Sequence, residues 1–175
     1  MARTALETAA DMDGAALIFE LARSEQTYTF QRPADYATSV LCGAIAAGWR
    51  GPVFIQGDHY QFVAKKYATD PEGVAAEIAR ACRLAVDAGY RNIDIDASTL
   101  VDLTQATVAE EQRVNVERSA DAAALIRSIE PSGIQISIGG EIGEVGTNNS
   151  TVEELAAYLD GFDAELARLR PGARG

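Results

Sequence analysis

The sequence predicts an α/β fold built on a parallel sheet. Four short apolar segments recur along the chain, and each is followed by a segment with helix signals. Strands that alternate with helices form right-handed βαβ units, and such units have parallel strands. The strands are rich in consecutive apolar residues, which is typical of a sheet that is covered on both faces.

The four strands are recognised by their β-branched and aromatic residues and by the residues that come directly before and after them. The run Val53-Phe54-Ile55 is short and apolar, and it ends on Gly57-Asp58-His59. The last strand alternates apolar and polar residues with period two, which indicates one buried and one open face. The expected strands are 15–22, 52–56, 92–97 and 134–138.

The helices are recognised by their ends. Pro33 fits the first position of a helix that Gly48 ends, and Asp70 followed by Pro71 fits a second helix start. Thr151 followed by Glu154 forms a capping box for the last helix. The expected helices are 33–47, 71–88, 108–129 and 152–169, with a lead-in over 1–13, loops over 24–32, 60–69 (with a short helical turn), 98–107 and 139–149, and a frayed tail over 170–175.

Two architectures fit this order of elements. One is a doubly wound open sheet and the other is part of a (βα)8 barrel, since four units are too few for a complete barrel. No dinucleotide-binding fingerprint follows the first strand, and no P-loop occurs in the sequence. The pattern alone leaves both architectures open.

Composition limits the class of protein and of partner. With 175 residues, 47% of them hydrophobic and 23% charged, the chain fits one globular domain. A formal net charge of −11 argues against nucleic acid or an anionic membrane as a partner. A phosphorylated substrate remains compatible with this charge, because phosphate sites are made locally from backbone N–H groups and a few cations.

The cysteines and the N-terminus indicate a cytoplasmic protein. The two cysteines, Cys42 and Cys82, lie in alanine-rich helical patterns and form neither a CxxC motif nor a disulfide framework. We expect both to be small buried or half-buried thiols. No apolar stretch approaches the roughly 20 residues of a membrane-spanning helix, and the N-terminus lacks the apolar region of a signal peptide.

Acidic residues follow the strands at the end where parallel α/β proteins carry their functional residues. Asp58 and the only histidine, His59, follow the second strand, Asp94 and Asp96 lie in the third, and Glu141 follows the fourth. Crowded carboxylates repel one another and need a cation, a proton or an arginine. A divalent metal ion with a histidine ligand is the simplest such cation.

Each of these features has a simpler interpretation when it is taken alone. An Asp-His pair in a loop can be a helix cap, Asp94 can face water or a helix end, and Glu141 can be a solvated loop acid. Their occurrence together at one end of a sheet favours the metal site.

Three motifs resemble those of class II, metal-dependent fructose- and tagatose-bisphosphate aldolases. They are Gly57-Asp58-His59, Ile95-Asp96-Ala97-Ser98 and the glycine-rich run 141–146, and the resemblance covers about residues 14–165. It implies an aldehyde-lyase of carbohydrate metabolism and glycolysis that cleaves a ketose (bis)phosphate reversibly to a ketose phosphate and an aldehyde. The implied fold is a TIM (β/α)8 barrel.

The resemblance also implies roles for individual residues and a cofactor. His59 matches a Zn²⁺ ligand, and Asp96 and Glu141 match carboxylates that support the metal. Asp58 matches the acid that exchanges a proton with the substrate hydroxyl. A Lewis-acid metal polarises the ketone, and the adjacent carboxylate moves the proton.

Two departures from that family pattern change the expectation. Thr147-Asn148-Asn149 stands where the family has acids, one of which is the enolising base, and two further zinc-ligating histidines have no counterpart. We therefore expect residues 1–175 to be a single partial domain, about four of the eight units of a TIM barrel. Zinc binding by this chain alone is expected to be weak or absent.

A partial barrel leaves strand edges and one sheet face uncovered. We therefore expect self-association or a complementary half-barrel as partner, besides a phosphorylated sugar as substrate. The alternatives are a non-catalytic aldolase-like subunit or scaffold, and an unrelated doubly wound binding domain.

Overall fold

Four parallel strands form the sheet around which the chain is organised. The computed structural model describes residues 1–143 and 149–170. The strands follow one another across the sheet in chain order, and each pairs in parallel with the next. The strands are β1 (Leu17–Ala22), β2 (Val53–Gln61), β3 (Asn92–Asp96) and β4 (Ser137–Gly140).

The sequential strand order distinguishes between the two architectures. In a doubly wound sheet the order reverses at a switch point, where ligands bind. The described strands run β1-β2-β3-β4 without a reversal. The described part of the fold is a four-stranded parallel α/β sheet without a switch point, an order that is consistent with part of a barrel.

Seven α-helices and one short 3-10 helix (Ser98–Leu100) connect and flank the strands in the described residues, and local chemistry sets several of the α-helix ends. The Asp70 side chain accepts a hydrogen bond from Gly73 N at 2.9 Å, and Thr151 and Glu154 cap each other's backbone. Gly48 ends its helix in the left-handed conformation, with φ 66°. The helices are α1 (Ala2–Asp11), α2 (Arg23–Tyr28), α3 (Pro33–Ala47), α4 (Ala64–Tyr67), α5 (Pro71–Asp87), α6 (Val108–Ile129) and α7 (Val152–Leu169). None of them has the length and apolar character needed to cross a bilayer.

The main core lies between one sheet face and the helices. Ile55, Ile93 and Ile95 are 3%, 1% and 0% exposed, and they belong to one buried cluster with residues of α3, α5 and α6. Full burial of one such side chain contributes about 1.5–3 kcal/mol, so this layer holds the strands in register. A second cluster joins α6 to α7 through Val116, Tyr158, Phe162 and Leu166.

The opposite face of the sheet is the open one. Ile18 of β1 and Phe54 of β2 are paired neighbours there, and they are 58% and 39% exposed. The next paired row on this face, Glu20 with Gln56, is polar. The acidic end of the sheet therefore lies on a surface that the described helices leave accessible.

Several element boundaries differ from the sequence-based expectation, two of them for reasons that the hydrogen bonds show. The stretch expected as a loop over 24–32 contains α2, because the Glu25 side chain accepts a hydrogen bond from Ala22 N and caps the helix start. The fourth strand begins at Ser137 and not at Ile134. Ile134 N bonds to Pro131 O in a turn, and Ile136 N bonds to the Glu130 carboxylate at 3.0 Å, so this backbone is satisfied outside the sheet.

The expected glycine-rich loop and tail are described only in part. Gly139 and Gly140 belong to β4 and pair with Asp94 and Ile95. Residues 144–148 and 171–175 lie outside the described residues.

Candidate functional site

A β-bulge in β2 shapes the site. Gly57 pairs with Ile93 and Tyr60 pairs with Ile95, so β2 takes three steps where β3 takes two. The extra residue is accommodated at His59, which has φ 48°. Bulges re-aim side chains next to functional sites. Here Tyr60 returns to the core with 0% exposure, while His59 remains 54% exposed beside the acidic residues.

Gly57 makes this bulge sterically possible. A Cβ atom at Gly57 would lie 2.5 Å from Cε2 of the Tyr60 ring, a distance that no carbon contact tolerates. The Tyr60 ring therefore packs on the bare backbone of Gly57. The second strand thus runs on to Gln61, past the end expected at Gln56.

Asp96 is the buried member of the site. Its side chain is 1% exposed, and its two oxygens are held by donors on both sides. Oδ1 accepts hydrogen bonds from Ser98 N at 3.1 Å and Ser98 Oγ at 2.7 Å, and Oδ2 accepts one from Gln61 Nε2 at 2.5 Å. These bonds compensate the burial of a carboxylate and fix its orientation.

The residues that the sequence singled out lie together around His59. Its Nε2 atom is 3.4 Å from Asp58 Oδ2 and 3.7 Å from Glu141 Oε1, and its Nδ1 atom is 4.0 Å from Asp96 Oδ2. One potential ligand atom from each of His59, Asp96 and Glu141 lies within 4.8 Å of the other two. These side chains come from three successive strand ends.

Negative charge dominates the electrostatics of this cluster. Burial raises the pKa of Glu141, and the nearby Asp96 and Asp94 raise it further, while His59 acts in the opposite direction. The pKa of Asp94 is also raised, first by burial and then by Asp58 and Asp96. A proton or a cation would relieve this repulsion between like charges.

Asp94 is a site residue that the sequence analysis counted among the strand-end acids but to which it gave no role. Its Oδ2 atom is buried and has no hydrogen-bond partner among the described residues. The carboxylate lies against Gly139, where a Cβ atom would come within 2.6 Å of Asp94 Oδ1. Because side chains two residues apart in a strand share a face, the placement of Asp96 could have indicated Asp94 as well.

The donor set fits a divalent transition metal ion. Imidazole nitrogen and carboxylate oxygen are both zinc ligands, and three protein ligands leave the fourth position free for a water or a substrate oxygen. In a zinc tetrahedron with bonds of about 2.0–2.1 Å, neighbouring donors lie roughly 3.4 Å apart. With one nitrogen of His59 and one oxygen each of Asp96 and Glu141, the donors lie within 4.8 Å of one another, so the side chains would have to draw closer together around an ion.

The segment Thr147-Asn148-Asn149, which stands where the aldolase family has its acids, is described only at one end. Thr147 and Asn148 lie outside the described residues, as does Glu144, and Asn149 is described as irregular backbone. The structure therefore leaves this part of the expectation untested.

Comparisons with known proteins give a fold and no family. No family model and no curated protein matches the chain. A solved structure of a probable tagatose 6-phosphate kinase from Sinorhizobium meliloti 1021 matches with a TM-score of 0.62 and 18% sequence identity. The match covers 94% of this chain and 42% of that one, so this chain spans less than half the length of that protein.

These findings correct the expected family and activity. The assignment to class II aldolases, and with it the aldehyde-lyase activity and the role in glycolysis, is wrong: no family or curated match supports it, and the structural neighbour is named as a kinase. Short Asp-His, Ile-Asp-x-Ser and Glu-x-Gly patterns describe where polar residues stand at strand ends. They do not specify a reaction, because one α/β scaffold carries many chemistries.

The left-handed backbone at His59 yields a test of the bulge. We expect His59→Asn to be at least as stable as the wild type, because asparagine tolerates this conformation, and His59→Val to be destabilised by about 1–2 kcal/mol. Thermal unfolding midpoints measure this order. At Phe54, in the regular part of β2, the order of Asn and Val should reverse, because valine favours an extended strand. Equal midpoints for the two His59 variants would contradict the bulge.

Proposed function

We propose that this chain is a metal-binding α/β domain that binds a phosphorylated sugar at the carboxyl ends of its strands. The observation that carries the proposal is the convergence of His59, Asp96 and Glu141, from three strand ends, within 4.8 Å. Strand ends of parallel sheets are where α/β proteins place their ligands.

Different residues of the chain would have different roles in such a site. His59, Asp96 and Glu141 would hold a divalent ion such as Zn²⁺, which supplies a Lewis acid for a carbonyl, hydroxyl or phosphoryl oxygen. Asp96 is already oriented by Gln61 and Ser98, as the carboxylate ligands of metal sites commonly are. Asp58, beside His59 and only partly exposed, would accept a proton from a ligand hydroxyl.

A sugar phosphate is the ligand class that we propose for this end of the sheet. Hydroxyl groups of a sugar can donate to the carboxylate oxygens of Asp58 and Glu141, which are both partly exposed. The chain's two lysines, Lys65 and Lys66, are adjacent in α4, which follows β2 at the same end of the sheet, and they offer positive charge for a phosphate group. The structural neighbour is named as a probable tagatose 6-phosphate kinase, and this name supports the same ligand class.

We also propose that residues 1–175 form one domain that is about four of the eight units of a (β/α)8 barrel. The unreversed strand order supports this architecture, because barrel strands follow one another in sequence. The open face with its exposed Ile18 and Phe54 supports it too, since parallel sheets are covered on both faces.

Self-association tests the partial barrel. We expect oligomers in light scattering, because β1 and β4 are the edge strands of the sheet in the part of the chain that the structure describes, and the open face is partly apolar. Lysine substitution of both apolar residues on that face, Ile18→Lys with Phe54→Lys, should shift the population toward monomer. The matched pair Leu41→Lys with Ile45→Lys, exposed on α3, should leave it unchanged. A monodisperse wild-type monomer would contradict the partial barrel.

Metal binding is the first test of the site. The missing histidines predicted weak or absent zinc binding, whereas the convergence of three donors leads us to expect one equivalent of Zn²⁺ in calorimetry. The titration uses a Cys42→Ser background, which removes the exposed thiol. Glu141→Gln should weaken this binding more than tenfold, because an amide oxygen is a poorer ligand than a carboxylate. Glu153→Gln, an exposed substitution in the first turn of α7, should leave the affinity unchanged. Equal affinities for the two variants would refute the assignment of Glu141.

Ligand binding is the second test. We expect tagatose 6-phosphate to raise the unfolding temperature in the presence of Zn²⁺ and unphosphorylated tagatose to raise it less, because a ligand stabilises the state that it binds. The shift should vanish in Glu141→Gln and without the metal. A shift that is independent of the metal would contradict the proposed mode of binding. Adding ATP to the same samples shows whether the sugar phosphate is consumed by phosphoryl transfer, the reaction that the neighbour's name denotes.

A further inference from the structure

Three buried polar side chains form a row along one face of α6. Gln112, Asn115 and Ser119 are 0%, 0% and 1% exposed. Residues three and four apart lie on the same side of a helix, so these side chains are neighbours. We refer to Gln112, Asn115 and Ser119 as the amide row.

The amide row binds the backbone that carries Glu141. Asn115 Nδ2 donates to the carbonyl of Glu141 at 2.8 Å, and Gln112 Nε2 donates to the carbonyl of Ile142 at 2.5 Å. Within the row, Asn115 Nδ2 also lies 3.0 Å from Gln112 Oε1, and Ser119 Oγ lies 3.4 Å from Asn115 Oδ1. Each amide is thereby linked both to its neighbour and to the chain beyond β4.

These bonds form at the point where the sheet ends. The pairing of β4 with β3 stops at Gly140, so the carbonyls of Glu141 and Ile142 lie past the strand ladder. Buried amide side chains are unfavourable unless they are hydrogen-bonded, and an apolar helix face would otherwise pack as well. The amide row therefore donates hydrogen bonds to the two backbone carbonyls that follow the end of β4. In a longer strand, such carbonyls would accept from the backbone of a neighbouring strand.

We infer that the amide row is a positioning network that sets the metal affinity of the site through Glu141. The inference rests on the proposed function, because the network acts on the proposed metal site. With two successive carbonyls fixed, the backbone of Glu141 is held in one orientation, and its carboxylate is held 3.7 Å from His59 Nε2. Groups that orient a metal ligand typically change metal affinity by 10–100-fold when they are removed.

A purely structural amide row would behave differently. In that case its loss would lower the unfolding temperature, and the folded protein would bind metal as before. The experiment therefore needs a control that loses stability without touching Glu141. Ile126→Val is such a control, because Ile126 is 0% exposed on the same helix and belongs to the main core.

Titration with Co²⁺ tests the inference in the full chain with the Cys42→Ser background. Visible absorption reports both the affinity and the ligand geometry of the bound ion. We expect Asn115→Leu to lower the affinity at least tenfold and to change the spectrum, and Gln112→Met to do so to a smaller extent. Ile126→Val should unfold at a lower temperature but keep the wild-type affinity and spectrum.

Amide hydrogen exchange gives a readout that needs no metal. We expect residues 138–143 to exchange faster in Asn115→Leu than in Ile126→Val, because the carbonyl anchors are lost. If Asn115→Leu does not fold, Gln112→Met provides the same comparison.

The outcomes separate this inference from the proposed function. A wild-type chain that binds no Co²⁺ overturns both. Wild-type binding together with unchanged affinity in both amide variants overturns the inference alone, whatever their exchange rates.

Discussion

The one-residue bulge in β2 is the constraint on which the site depends. It makes room for His59 between Asp58 and Tyr60, so that the acid and the imidazole both reach the open face while the tyrosine ring returns to the core. The bulge needs a glycine under that ring, and it holds His59 at φ 48°, a conformation that costs a side chain about 1–2 kcal/mol. A strained backbone conformation of this kind persists only where the surrounding packing enforces it, and such conformations are concentrated at functional sites.

The bulge also explains the charge balance of the site. It brings a single imidazole into a group of four carboxylates, those of Asp58, Asp94, Asp96 and Glu141. Burial, and then the neighbouring carboxylates, raise the pKa of Asp94 and of Glu141. Burial and hydrogen bonding prevent Asp96 from moving away from this repulsion. A divalent cation bound by these carboxylates would offset their mutual repulsion. Because the cation would bind the folded state and not the unfolded chain, it would stabilise the folded protein.

Helices were predictable from the sequence to a greater extent than the site was. Pro33 has the fixed φ of a first helical residue, Asp70 and Thr151 accept hydrogen bonds from backbone N–H groups, and these helix starts agree with the structure. The start of β4 and the bulge depend on pairing with β3, which no local pattern encodes. The strand-end acids include every carboxylate of the cluster, whereas the burial of Asp94 and the existence of the amide row depend on which faces of the elements are covered. The reaction was not predictable either, and the aldolase assignment was wrong because strand-end motifs report geometry and not chemistry.

The central claim is that His59, Asp96 and Glu141 together bind one divalent ion. Anomalous diffraction at the zinc edge, from crystals of the Cys42→Ser protein grown with Zn²⁺, tests it most directly. The account predicts one strong peak within about 2.0–2.2 Å of a nitrogen of His59 and of one oxygen each from Asp96 and Glu141. A peak elsewhere on the protein, with no density at this end of the sheet, would contradict it.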